Sequence, residues 1–172
     1  IGGSKDKRKG AHLLNESLKI LKNSFLKNNL NKIQILVFGE SKSEKFINEL
    51  PIKFLGTLND DISLQIIYSA AEVMVVPSIQ DAFAQTGLEA HACGTPVVAF
   101  KIGGFIDMVT HKKTGFLAEA YDPKSLAFGI NWVIEDTERN KILSKEARKK
   151  VVEKWDSKII AKQYINAYRS AI

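Results

Sequence analysis

Cysteine is nearly absent from this sequence: Cys93 is the only one in 172 residues. A disulfide within the chain is therefore impossible, and a reducing compartment, the cytoplasm, is the expectation. Long apolar runs are missing too. None approaches the ~20 residues needed to span a bilayer, and Ile1 opens on a glycine pair without the charged and apolar regions of a secretory leader. The three histidines, His12, His91 and His111, share no metal-ligand spacing with one another or with Cys93, so no bound metal is expected. The glycine–lysine–hydroxyl order of a P-loop does not occur. Ser78 lacks the nucleophile-elbow pattern, and no repeat, low-complexity tract or linker interrupts the chain.

What is present is an ordinary globular composition, 45% apolar and 26% charged, with a net charge of +6. That excess suits an anionic partner without choosing among nucleotide, nucleic acid and membrane. Short apolar runs alternate with amphipathic stretches. Residues 10–28 place Leu14, Leu18, Leu21 and Phe25 on one helical face. The runs 33–38, 52–56, 72–77, 96–100 and 114–118 read as strands, and Pro77 stops the third. Residues 61–71 read as a helix capped by Asp60 or Asp61. Another runs to about Ala92, and a short one opens at Gly103-Gly104. Asp122-Pro123 caps a helix to about Ile134, and 138–171 form one or two basic helices. This order predicts an α/β domain, a Rossmann-like parallel sheet with helices on both faces. In such domains ligands sit outside the carboxyl ends of the strands. The loops to read are therefore 2–9, 39–45, 56–60, 77–86 and 101–105.

Three of these suit a nucleoside diphosphate. "GGSKDKRKG" offers glycines, then Lys5, Lys7, Arg8 and Lys9 before a helix, although a solvated basic turn has the same composition. "DAFAQTGLE" puts Asp81 after a strand end and small residues at a helix start. There Thr86 and Glu89 also match a capping box, and Asp81 also suits a turn. "KIGGFIDMV" supplies two glycines between a strand and a helix, a further place where amides can face an anion. His91 is expected to be packed or at the surface, and Cys93 to be a small filler.

Taken in order, these segments resemble the donor-binding half of the GT-B glycosyltransferases, in the large retaining class called family 4 or group 1. "IKFLGTLNDDISLQIIYSAAEVMVVPS" is similar to the family's strand, Phe-Leu-Gly, helix ending in Tyr-x-x-Ala-Asp, strand and Pro-Ser. The family's glutamate–seven residues–glutamate signature stands here as Asp81 to Glu89, followed by "AHACGTPVVAF". The resemblance implies that Glu89 holds the ribose hydroxyls of the donor. It implies that Asp81 faces the transferred sugar and that Phe83, Ala84, Gln85 and Thr86 present amides to the sugar and distal phosphate. Lys9 and Arg8 would neutralise the diphosphate, Gly3 would lie under the phosphates, and Leu58 would lie near the base. Asp81, Lys9 and Arg8 would thus be the catalytic set. The expected donor is a nucleotide-diphosphate sugar, UDP- or GDP-linked, with no other cofactor.

Residues 1–172 would form a single domain, the C-terminal half of a two-domain enzyme whose N-terminal acceptor domain lies outside this sequence. Alone this half would bind nucleotide and not turn over. The expected setting is bacterial cell-surface polysaccharide or glycolipid synthesis in the cytoplasm, with peripheral contact at the inner face of the membrane and no nucleic acid partner. Three positions depart from the family pattern: Asp81 replaces a glutamate, Ser4 stands where an arginine is usual five residues before Lys9, and Ala84 replaces a glycine. Arg8 would supply the missing charge, though not automatically its geometry. The rival readings are a GT-B sugar-nucleotide epimerase and a non-catalytic nucleotide-binding or signalling module.

Overall fold

The computed structural model describes residues 6–26, 33–41 and 46–170. After a single 3₁₀ turn (Lys7–Lys9) come α1 (Ala11–Ser24), β1 (Ile35–Val37), β2 (Phe46–Ile47), β3 (Leu50–Phe54), α2 (Asp61–Ala70) and β4 (Met74–Val76). The rest is α3 (Gln85–Ala92), β5 (Val97–Phe100), α4 (Phe105–Met108), β6 (Gly115–Ala118), α5 (Pro123–Ile134), α6 (Thr137–Lys154) and α7 (Ser157–Ser170).

The strands form two three-stranded sheets, ordered β1-β3-β2 and β4-β5-β6. All pairings are parallel except β2 with β3. That hairpin departs from the expected all-parallel pattern. Asn48 and Glu49 turn it with positive φ, and a two-residue strand of Phe-Ile is too short to show period-two alternation. The basic tail resolves into two helices, broken at Trp155 and Asp156.

β5 explains why its sequence reads as an unbroken apolar run. Val98 and Phe100 point into one core with Leu18 and Leu21 of α1 and Leu126, Ile130 and Val133 of α5. Val97 and Ala99 point into the other, with Tyr68 of α2, Ala90 of α3 and Phe105 and Met108 of α4. All four β5 residues are buried. A central parallel strand covered on both faces needs apolar side chains at every position. Helix starts follow local chemistry: Asp60 accepts from the Ser63 amide at 2.7 Å, and Asp122 accepts from the Lys124 amide at 2.8 Å beside Pro123.

The basic residues of α6 are partly consumed by the fold. Arg148 donates to the Ala92 carbonyl at the end of α3, where a cation meets the negative end of the helix. Lys150 donates to the Asp107 carbonyl at 2.6 Å and the Thr110 hydroxyl at 2.9 Å. Arg139 stacks on Trp132, 4.3 Å from the ring centroid.

His91 is packed, as one of its two expected settings had it. It is fully buried on α3, and its Nε2–H donates to the Thr114 carbonyl at 2.9 Å. Its Nδ1 has no partner among the described residues. Burial lowers its pKa from 6.5 to about 4. The unfolded chain therefore binds a proton that the folded chain refuses between those values. Stability from this group is complete above pH 6.5 and is lost as the pH falls toward 4, by about 3 kcal/mol. A His91→Gln variant, which keeps a donor for Thr114, should lose correspondingly less stability over that window in urea denaturation. An unchanged pH slope would contradict the assignment.

Candidate functional site

The site forms where β4 ends. Its first requirement is that the basic turn reach that end, and two backbone features arrange this. The Ile79 amide donates to the Arg8 carbonyl at 2.8 Å. Gly10, at φ +67, lies so close to Pro77 that a Cβ there would fall 1.8 Å from the Pro77 carbonyl oxygen. Only glycine combines that backbone angle with that approach. The same residue starts α1, so the turn is fixed between a helix and a strand end.

Lys9 is thereby carried to the loop after β4, where its Nζ lies 3.3 Å from Asp81 Oδ2. The Asp81 side chain is 15% exposed and that of Lys9 37%. The pair is sheltered enough to feel less salt screening than a surface pair. The glycines of the 101–105 loop also serve this arrangement. A Cβ on Gly103 would meet the Asp81 carbonyl oxygen at 2.4 Å, and one on Gly104 the Ala82 carbonyl oxygen at 2.0 Å. The Gly103-Gly104 turn is the floor on which the Asp81 loop rests.

Two clefts adjoin at this ion pair, and Lys9 and Asp81 line both. One, of about 310 Å³, runs along β4 and is walled by Pro77, Ser78 and the start of α3, Phe83 to Thr86. Its volume lies at the small end of ligand sites. The other, also about 310 Å³, is bounded by Asp6, Arg8, Gln80 and Ala82.

The start of α3 decides between the readings of Thr86 and Glu89. Ala84 is the N-cap, without a side-chain cap bond. Thr86 is thus already the second helical residue, and the capping box is not formed. The first helical acceptor is the Ala84 carbonyl, taken by the Gly87 and Leu88 amides at 3.0 and 3.2 Å. Among the described residues no acceptor meets the Gln85 and Thr86 amides, which are the orphan donors every helix start leaves. Glu89 lies four and three residues beyond them, on the same face, about 6 Å along the helix. It is exposed, and its Oε2 accepts from the Tyr68 hydroxyl at 2.9 Å.

Arg8, itself exposed, is forked onto the half-buried Asp6, Nε to Oδ1 at 3.1 Å and Nη2 to Oδ2 at 2.9 Å. The guanidinium holds the Asp6 carboxyl below the usual carboxylate range, chiefly by that hydrogen bond. Of the residues read from sequence, the structure brings Lys9, Asp81, Phe83, Ala84, Gln85 and Thr86 into one cleft. Arg8 borders the adjoining one. Glu89 and the half-buried Leu58 are not among the residues lining either cleft. Gly3 lies outside the described residues. Sequence reasoning missed the Asp6–Arg8 pair, which an Asp two residues before an Arg in a turn signals locally. It also missed the Tyr68–Glu89 contact, which joins positions 21 residues apart and has no local signal.

Residues 3–150 match the family model described as Glycosyl transferases group 1. The chain belongs to that family. It is 30% identical over 173 residues to the capsular polysaccharide biosynthesis glycosyltransferase CapM of Staphylococcus aureus, covering 95% of this chain and 43% of that protein. Among solved structures, sucrose-phosphate synthase from Thermosynechococcus elongatus superposes with a TM-score of 0.75 at 29% identity. That match covers 96% of this chain and 43% of the synthase chain. Anabaena HepE, in complex with UDP-glucose, superposes at 0.76 with 23% identity, covering 98% and 47%, a likeness of fold. This group 1 chain spans under half the length of these relatives.

The seat of the basic turn is directly testable. Gly10→Ala should destabilise the chain by about 2 kcal/mol or more, because strain at positive φ adds to the clash with Pro77. Chemical denaturation measures it; a loss under ~0.5 kcal/mol, the range of neutral surface changes, would mean the approach is not needed.

Proposed function

We propose that this domain binds the nucleotide-diphosphate sugar donor of a retaining glycosyltransferase. The observation that carries the reading is the meeting of Lys9, Asp81 and the unpaired amides at the start of α3 in one cleft at the end of β4. An ammonium and a helix N-terminus converging on one space suit a phosphate group. HepE, which shares the fold, was solved with UDP-glucose, and that supports the same class of ligand here.

In this reading the amides of Phe83 to Thr86 and the Lys9 ammonium face the distal phosphate and the sugar. As the glycosidic bond to the diphosphate breaks, negative charge grows on the leaving oxygen. Donors already aimed there stabilise it without reorganising, by electrostatic preorganisation. Asp81 orients hydroxyls of the transferred sugar and is assigned no nucleophilic role. One methylene shorter than glutamate, it stands close enough to Lys9 to hold that ammonium until the donor arrives. Arg8 reaches the diphosphate by exchanging Asp6 for a phosphate oxygen. Glu89, one turn along α3, takes the ribose hydroxyls at the open end of the cleft, and Leu58 lies near the base.

The whole enzyme would pair this domain with an N-terminal acceptor domain. α7 supports that arrangement: none of its described residues is buried, and Tyr164, Ile165 and Tyr168 are exposed. Similarity to CapM favours capsular polysaccharide synthesis, for which the cytoplasmic side is the proposed place. Among the described residues no helix is long and apolar enough to cross a membrane. The remaining exposed lysines of α6 would serve contact with an anionic membrane face.

Isothermal titration of the chain with UDP, GDP and ADP is expected to find binding of at least one. Lys9→Ala should weaken it by about tenfold or more, the scale of a charge-assisted contact, and Glu89→Ala should weaken it by about tenfold or more, the worth of hydrogen bonds to a charged group. Undiminished affinity in Glu89→Ala would remove the ribose role; no binding of any nucleoside diphosphate would remove the donor-site reading.

A further inference from the structure

We propose that Tyr68 is a positioning residue that sets the Glu89 carboxylate for the ribose diol, an inference that rests on the ribose reading of Glu89 above. Glu89 is exposed, and an exposed glutamate on a helix turns freely about three bonds. Two ribose hydroxyls can be met at once only if both carboxylate oxygens are held in one orientation, and freezing that orientation on binding costs affinity. Something in the free protein must hold it beforehand.

Tyr68 is built for that task. It is 3% exposed at the last turn of α2. Its ring stands edge-on to Phe38, centroids 5.7 Å apart and planes at 90°. Its own carbonyl accepts from the Thr95 hydroxyl and from the Ala71 amide. With ring and backbone both fixed, the hydroxyl has one place to be. Its bond to Glu89 Oε2 at 2.9 Å therefore moves the glutamate to the tyrosine and not the reverse.

The direction of that bond is also settled. An ionised carboxylate only accepts, so the phenol donates. Burial first, and the Glu89 bond second, push the Tyr68 hydroxyl upward in pKa, so it stays a donor throughout the range in which the protein is used. A carboxylate has about four lone-pair positions. Tyr68 occupies one on Oε2, which leaves Oε1 whole and the far side of Oε2 open to two ribose hydroxyls. A charge-assisted bond of this kind is about twice as strong as a neutral one, enough to select one orientation of an exposed side chain. If Tyr68 served packing alone, phenylalanine would serve as well, because the hydroxyl is the only atom group that the proposal uses and the ring is the only one the core needs.

The test compares each of UDP, GDP and ADP with its 2′,3′-dideoxy counterpart, titrated against the chain and three variants. Wild-type protein is expected to prefer the ribose form by about tenfold or more, the worth of hydrogen bonds to a charged group. In Tyr68→Phe that ratio should shrink about fivefold or more, while affinity for the dideoxy form holds and the denaturation midpoint falls by no more than the loss of one hydrogen bond. Tyr68→Phe combined with Glu89→Ala should bind no worse than Glu89→Ala alone, since the tyrosine acts only through the glutamate. If Tyr68→Phe keeps the wild-type ratio while Glu89→Ala loses it, the ribose reading stands and the positioning role is overturned. Additive losses in the double variant would overturn it likewise. A wild-type protein that does not distinguish the two forms overturns the ribose reading itself, and the inference with it.

Discussion

The docking of one short turn on the end of one strand holds the site together. Without the close approach of Gly10 to Pro77, and the bond from the Ile79 amide to the Arg8 carbonyl, Lys9 would be another surface lysine. With it, a cation from the 3₁₀ turn and a carboxylate 72 residues later come within 3.3 Å of each other. The Gly103-Gly104 turn supports the carboxylate from the other side, by backbone approaches that no side chain permits. The basic turn and the loops after β4 and β5 thus hold a single pair of charges by glycine contacts.

The arrangement follows the logic of parallel α/β architecture. β5 is buried on both faces, and β4 and β6 flank it in register. Their carboxyl ends deliver loops to one edge, and the helix that follows β4 delivers unpaired amides to the same place. Packing supplies the frame, and the exposed or half-exposed groups, Lys9, Asp81, Gln85, Thr86 and Glu89, supply the chemistry. Positive charge on α6 is in part a matter of structure: Arg148, Lys150 and Arg139 are committed to a carbonyl, a carbonyl with a hydroxyl, and an indole face.

Much of this was legible in the amino-acid order. "PVVAF" announces a doubly covered strand because every residue is apolar. Asp60 and Asp122 announce helix starts because a carboxylate can take a free amide within three residues. Membership of the group 1 family was readable from the ordered set running from "FLG" through Asp81, Glu89 and "HACGTPVVAF". What escaped was either too short to carry a period or too distant in sequence. The β2–β3 hairpin has a two-residue strand. The capping box at Thr86 and Glu89 had the right spacing, but helix α3 begins at Gln85, two residues too early, and the glutamate goes to Tyr68. Gly103 and Gly104 were visible as a permissive turn, whereas their work of receiving the Asp81 and Ala82 carbonyls depends on where a loop 22 residues earlier lies.

The central claim is that Lys9, Asp81 and the start of α3 form one anion-binding cleft. Amide-resolved NMR of the labelled chain during titration with UDP, GDP or ADP tests it most directly. The account predicts that the largest shifts fall on the amides of Gln85 and Thr86, with Lys9 and Asp81 following at the same ligand concentration. Saturable shifts confined to other surfaces, such as α6, with these four residues unmoved, would contradict it.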